Sequence, residues 1–135
     1  MGAHATLTRR LSALLEEQYG LAMSEYEVLF LLSRQDDHAM RRIDLSREVR
    51  ISPSGITRML DRLEATGLVG KKACAKDARV TYAVLTPEGT RKLEEARKTH
   101  VASVRALFSE RFDKDELQAL ASLLERLPMT TTPCD

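Results

Sequence analysis

The chain has 135 residues, of which 43% are hydrophobic and 30% charged, and its formal net charge is +1. That mix belongs to a globular chain of one domain, or one domain plus an extension, and excludes a wholly disordered one. No apolar run approaches the roughly 18–20 residues of a membrane span, and two cysteines are too few for a disulfide scaffold.

MGAHATLTRRL at the N-terminus has no apolar segment of signal-peptide length, so the cytoplasm is the expected location. His4, His38, His100, Cys74 and Cys134 show no metal-ligand spacing, and neither a metal nor any other cofactor is expected. Residues 7–19 carry Leu7, Leu11, Leu14 and Leu15 at helical spacing and predict a first helix that Gly20 stops. Ser24 and Glu27 have the spacing of a capping box, with Met23 and Val28 as a hydrophobic staple, and they predict a second helix. Its EVLFLL run is apolar nearly all round, as a buried central helix requires. RQDDHAM then reads as a loop.

RRIDLSREVR predicts a short third helix with Ile43, Leu45 and Val49 as its apolar positions. A tight turn at Arg50 and Ile51 leads into the stretch ISPSGITRMLDRLEATGLV, residues 51–69. Ser52 suits the N-cap, Pro53 the first helical position and Gly67 the left-handed exit. Ile56, Met59, Leu60 and Leu63 share one face, whereas Ser54, Thr57, Arg58 and Asp61 share the other. Two short helices joined by a tight turn form a helix-turn-helix, whose second helix fits the DNA major groove, where arginine can donate two hydrogen bonds to guanine. Arg41, Arg42, Arg47 and Arg50 are candidate phosphate contacts. Charge is segregated to match. Residues 41–79 hold ten Lys/Arg against five Asp/Glu, whereas the rest of the chain holds 11 against 15. Positive charge gathered around such a helix is the footprint of a phosphate backbone.

Beyond Gly67 the pattern changes to β. Residues 69–73 and 80–85 are β-prone, the second alternating Val80, Tyr82 and Val84, and the basic KKACAKDAR lies between them. This predicts a β-hairpin wing whose Lys76 and Arg79 are suited to a neighbouring minor groove, with Asp77 bracing the tip. Thr86 and Pro87 start a long helix with Leu93, Ala96, Val101, Val104, Leu107 and Phe108 along one stripe, and His100 beside it as a packed, hydrogen-bonded side chain. Asp113 and Glu116 form a further capping box before Leu117, Leu120, Leu123, Leu124 and Leu127, and Pro128 closes that helix. Long apolar stripes outside a compact winged module call for a partner chain, and paired recognition helices read half-sites about 34–36 Å apart.

The order of these pieces resembles the MarR (multiple antibiotic resistance regulator) family of bacterial transcription factors from about Leu7 to Leu127. SPSGITRMLDRLEATGLV, the Asp77-x-Arg79 wing signature and LTPEG directly after the second wing strand carry the resemblance. It implies a mostly α fold with a small β-hairpin wing, a winged helix-turn-helix with interlocking N- and C-terminal dimerisation helices. Residues 1–22 would be the N-terminal dimerisation helix, 23–86 the DNA-binding domain, 87–127 the C-terminal dimerisation helices and 128–135 a flexible tail. The implied partners are a second copy of the chain, forming a homodimer, and double-stranded DNA carrying a pseudo-palindromic operator. By motif position, Ser54, Thr57 and Arg58 would contact the major groove and Arg79 the minor groove. Arg42, Ser52, Pro53 and Lys76 complete the candidate DNA-binding set.

Two departures stand out: Ala73, Cys74 and Ala75 thin the wing, and Gly55 sits where a side chain would read a base. Members of the family release DNA when a small phenolic effector binds or a cysteine is oxidised. Cys74, flanked by Lys71, Lys72 and Lys76, is the candidate redox thiol, beside the alternative of an incidental surface cysteine. A repressor released by such a signal is the expected function. The alternative is a winged helix that binds proteins without specific DNA recognition. No Gly-rich phosphate loop, nucleophile–base motif or catalytic carboxylate pair is present in the sequence, so an enzyme is not expected.

Overall fold

The computed structural model describes residues 2–127. The expected tail 128–135, with Pro128 and Cys134, lies outside the described residues. In chain order the elements are α1 (Gly2–Tyr19), α2 (Met23–Ser33), β1 (Ala39–Arg41), α3 (Arg42–Glu48), α4 (Pro53–Ala65), β2 (Val69–Ala73), β3 (Thr81–Leu85), α5 (Pro87–Ser109) and α6 (Lys114–Leu124). No described helix is long and apolar enough to cross a membrane. The described residues fall into two compact units, one reaching His100 and the other starting at Val101.

The first unit is built around α2. Val28, Leu29 and Leu32 are fully buried, and Leu15 of α1, Leu45 of α3, Ile56 of α4 and Leu93 of α5 are buried with them in the same core. Each such side chain contributes roughly 1.5–3 kcal/mol of burial free energy, which is why α2, with its apolar Val28–Leu32 run, occupies the centre. α1 begins at Gly2, earlier than the leucine spacing indicates, and ends at Gly20, whose φ of 64° is left-handed. α2 does not start with the expected Ser24–Glu27 box. Its N-cap is Ala22, and the Glu25 carboxylate accepts the Ala22 N–H at 3.1 Å. The start moves because Leu21 is buried, which brings the chain into the core three residues before Ser24. The staple positions then become Leu21 and Tyr26, both buried, in place of Met23 and Val28.

β2 and β3 form the expected hairpin wing, and β1 adds a third strand to give an antiparallel sheet. Its order is β1-β3-β2, with Met40 opposite Ala83 and Lys71 opposite Ala83 on the other side. β1 lies within the segment expected to be a loop and the start of a helix. Its Ala-Met-Arg sequence has no β-branched residue, and pairing with β3 imposes the extended backbone. Within β3 the buried residues are Ala83 and Leu85, while the bulkier Tyr82 and Val84 are half-buried. On α3, Leu45 is buried as expected, but Ile43 is 42% exposed and Ser46 takes a buried place.

The second unit holds the end of α5 and all of α6. Asp113 caps α6 reciprocally, accepting the Glu116 N–H at 2.8 Å while Glu116 accepts the Asp113 N–H at 3.3 Å. Phe108 and Phe112 pack with ring centroids 6.2 Å apart. No residue of α6 is buried. Leu123, Leu124 and Leu127 are each more than half exposed.

Candidate nucleic-acid interface

The turn between α3 and α4 is fixed from both ends. The Ser46 hydroxyl donates to the Ile51 carbonyl at 2.5 Å, and the Ile51 N–H returns a bond to the Ser46 carbonyl at 3.1 Å. Arg50 takes a φ of 55° between them. The Ser52 hydroxyl then accepts the Gly55 N–H at 3.2 Å, and Pro53 begins α4, so this N-cap forms as the sequence indicates. Gly55 has a packing reason. A Cβ there would lie 2.7 Å from Ile51 Cγ2 and 3.1 Å from Ser52 Oγ, so glycine lets the turn close against the helix.

α4 buries Ile56, Met59, Leu60 and Leu63 and turns Ser54, Arg58 and Asp61 outward. Thr57 is half-buried, and its hydroxyl donates to the Pro53 carbonyl at 2.9 Å. The hydroxyls of Ser52 and Ser54 are 3.3 Å apart. Arg58 has no ion pair or hydrogen bond among the described residues, which leaves its donors uncommitted. Arg42 opens α3 on the surface and, with Thr57, Lys71 and Tyr82, lines a cavity of about 150 Å³ where α3, α4 and the sheet meet. Arg41 is ion-paired with Asp44 at 2.6 Å, while Arg47 and Arg50 are exposed.

The wing tip closes through main-chain bonds, Cys74 N–H to Val80 O at 3.0 Å and Val80 N–H to Asp77 O at 3.1 Å. Asp77 Oδ1 accepts the Arg79 N–H at 3.0 Å and its Nε–H at 3.3 Å. The Arg79 side chain is otherwise 93% exposed, and Lys76 is exposed beside it. Cys74 is a free, half-buried thiol.

Two contacts of α4 are not evident in the sequence. Lys71, on β2, reaches across to Asp61 at 2.6 Å and Glu64 at 3.0 Å. Its hydrogen bonds to Asp61 first, then Glu64, raise its pKa above the ordinary lysine value. Arg62 donates from Nε and Nη2 to Glu25 Oε1 at 3.3 and 3.2 Å, tying α4 to the start of α2. Asp61 and Glu64 lie three apart on one helix face, and that spacing is visible in the sequence. That Lys71 faces them depends on the path of the chain beyond Gly67, which is not.

Beside Arg62 lies a cavity of about 340 Å³, lined in part by Tyr19, Glu25, Thr66, Arg91 and Lys92. Tyr19 is hydrogen-bonded to Thr99 through their hydroxyls. His100 packs its ring 5.0 Å from that of Tyr26. Contrary to the expected hydrogen-bonded histidine, its Nδ1 is buried with no hydrogen-bond partner among the described residues. Burial lowers its pKa below the ordinary value. No group of three or more potential metal ligands occurs among the described residues.

Comparison with known proteins gives this geometry a context. A sequence profile of the MarR family matches residues 21–81, from the entry into α2 to the start of β3. The chain is 33% identical to AbsC, a MarR family transcriptional regulator from Streptomyces coelicolor, covering 90% of this chain and 82% of AbsC with a TM-score of 0.78. Sco3205, a MarR family regulator of the same organism whose crystal structure is a complex with DNA, is 26% identical. That match covers 92% of this chain and 78% of Sco3205, with a TM-score of 0.81. Among curated relatives, the HTH-type transcriptional repressor YetL of Bacillus subtilis is 25% identical over 127 residues, covering 90% of this chain and 76% of YetL.

Proposed function

Because the chain belongs to the MarR family of transcriptional regulators, we propose that it acts as a homodimeric repressor on a pseudo-palindromic operator. The observation that carries this reading is the outward face of α4, where Arg58 is exposed and uncommitted in the second turn of a helix whose start is fixed by Ser52. In this reading residues 23–86 are the DNA-binding module. Arg58 donates to a guanine edge, Ser54 and Thr57 contact bases or their sugars, and Ser52, Pro53 and Arg42 lie along the phosphates. Lys76 and Arg79 enter the adjacent minor groove, with Asp77 bracing the tip. Residues 1–22 and 87–127 hold the dimer, a role supported by the leucines that α6 leaves exposed.

Release by a small phenolic effector is supported by the cavity beside Arg62, whose volume of about 340 Å³ suits a small ligand and whose wall includes α4 itself. Oxidation of Cys74 is the other proposed signal, because three lysines lie within three residues of the thiol. Operator footprinting with purified protein tests the reading. A protected palindrome that Arg58→Ala abolishes is the expected result, and no protection at moderate salt contradicts it. Addition of phenols and of peroxide to the same complex then separates the two signals by which of them restores cleavage.

A further inference from the structure

The exposed face of α4 that carries Arg58 also carries two carboxylates, Asp61 and Glu64, and these are poor neighbours for DNA. Asp61 lies three residues beyond Arg58, and residues three apart on a helix are close enough for an arginine and an aspartate to pair. Such a pair would occupy the guanidinium donors in the free protein and would have to break before a base could be read. In the structure Asp61 is engaged elsewhere. Lys71 Nζ holds Asp61 Oδ1 at 2.6 Å and Glu64 Oε2 at 3.0 Å, from a strand that follows α4 by a single turn. Arg58 is left exposed and without a partner among the described residues.

We infer that Lys71 is a positioning residue for base recognition: by holding the Asp61 and Glu64 carboxylates on the wing side of α4, it keeps the Arg58 guanidinium free to donate to DNA. This rests on the reading of Arg58 as a base contact, and it assigns Lys71 a role other than that of one more phosphate-binding lysine. The two roles make opposite forecasts. A phosphate contact contributes the same to every sequence and adds about 0.9 to the slope of log K against log salt. A residue that frees Arg58 acts on the preference for operator over other DNA, and its loss is repaired by removing the carboxylate that would otherwise capture Arg58.

The test compares wild type with Lys71→Met, Asp61→Ala and the double variant Lys71→Met/Asp61→Ala, on operator and scrambled duplexes at several salt concentrations. Both positions are exposed, and thermal unfolding verifies that each variant folds. Lys71→Met is expected to lower the operator-to-scrambled ratio about tenfold, within the range of a lost bidentate base contact, with little change in salt slope. The double variant is expected to recover most of that ratio. An equal loss on both duplexes, a slope reduced by about 0.9 and no recovery in the double variant would overturn the inference.

A DNA-free measurement decides the same point if no operator preference is found in wild type, an outcome that would remove the DNA reading itself. Nitrogen-15 NMR of the Arg58 Nε–H should show rapid solvent exchange in wild type and the double variant. In Lys71→Met that exchange should be slowed several-fold. Identical exchange in all three proteins would show that Asp61 never competes for Arg58.

Discussion

Asp77 Oδ1 accepts two hydrogen bonds from Arg79, one from its main chain and one from its guanidinium. One carboxylate oxygen therefore sets the turn at the wing tip and limits the sweep of a side chain that is otherwise 93% exposed. An exposed pair of this kind contributes at most about 1 kcal/mol to stability, so its effect should be felt in binding. Asp77→Ala is expected to weaken operator binding about 2- to 10-fold, the equivalent of one ordinary hydrogen bond, with an almost unchanged unfolding midpoint. Asp77→Asn retains an acceptor for the main-chain N–H and should fall between the two. Fluorescence anisotropy on a labelled operator measures this, and an Ala variant that binds as wild type removes the bracing role.

Gly89 makes a prediction about the fold alone. A Cβ at this position would stand 2.0 Å from the Leu68 carbonyl oxygen, which also accepts the Thr86 N–H at 3.2 Å. Leu85 Cδ1 at 2.8 Å belongs to a side chain that can shift, but the Leu68 carbonyl is main chain and cannot give way as readily. Gly89→Ala is expected to destabilise the protein by about 1–3 kcal/mol or more, as overpacking does. The urea midpoint reads this, and an unchanged midpoint would contradict the close approach of α5 to the α4–β2 turn.

His100 predicts a pH dependence. Burial lowers its folded-state pKa, so the neutral form is favoured in the native state and the unfolded state binds the proton more readily. The histidine's contribution is therefore fully present above the ordinary value of about 6.5. It is lost progressively as pH falls below that value toward the depressed folded pKa. Thermal unfolding between pH 7.5 and 5 should show the midpoint falling with acid. His100→Phe should flatten the part of that fall due to this group while keeping a ring against Tyr26. Equal slopes in the two proteins would show that His100 is not protonated differently on unfolding.

The exposed leucines of α6 give the oligomer prediction. Leu123 and Leu124 are 57% and 51% exposed, in a helix with no buried residue. If they meet a second chain, Leu123→Glu/Leu124→Glu should place carboxylates in an apolar contact and shift the sedimentation coefficient from dimer to monomer at micromolar concentration. Operator binding should weaken with it, because two linked half-site contacts become one. A double variant that sediments as wild type would place the dimer contact elsewhere.

The sequence is most readable where local rules and packing agree. α4 carries its cap, its proline, its apolar face and its terminal glycine within twenty residues, and all four are in place in the structure. The Asp113–Glu116 box and the Thr86 cap of α5, which accepts the Gly89 N–H at 3.0 Å, are equally local. What could not be read depends on distant partners. β1 exists because β3 is beside it, and Ala39-Met40-Arg41 has no strand preference of its own. Ser24 is the better cap by residue type, but the burial of Leu21 moves the start of α2 to Ala22. The Lys71–Asp61 and Glu25–Arg62 pairs join residues 10 and 37 apart in the chain, and no periodicity reveals them.

The measurement that bears most directly on the central claim is a titration of the protein with the intergenic DNA upstream of its own gene, at two salt concentrations and against a scrambled duplex. A winged-helix regulator that reads bases through Arg58 should bind the upstream DNA at least about a thousandfold more tightly than the scrambled control. That affinity should weaken steeply as salt rises, because phosphate contacts release counterions. Weak binding that is equal on both duplexes, and remains so when the search is widened to genomic fragments, would contradict the account and leave a winged helix that recognises another protein.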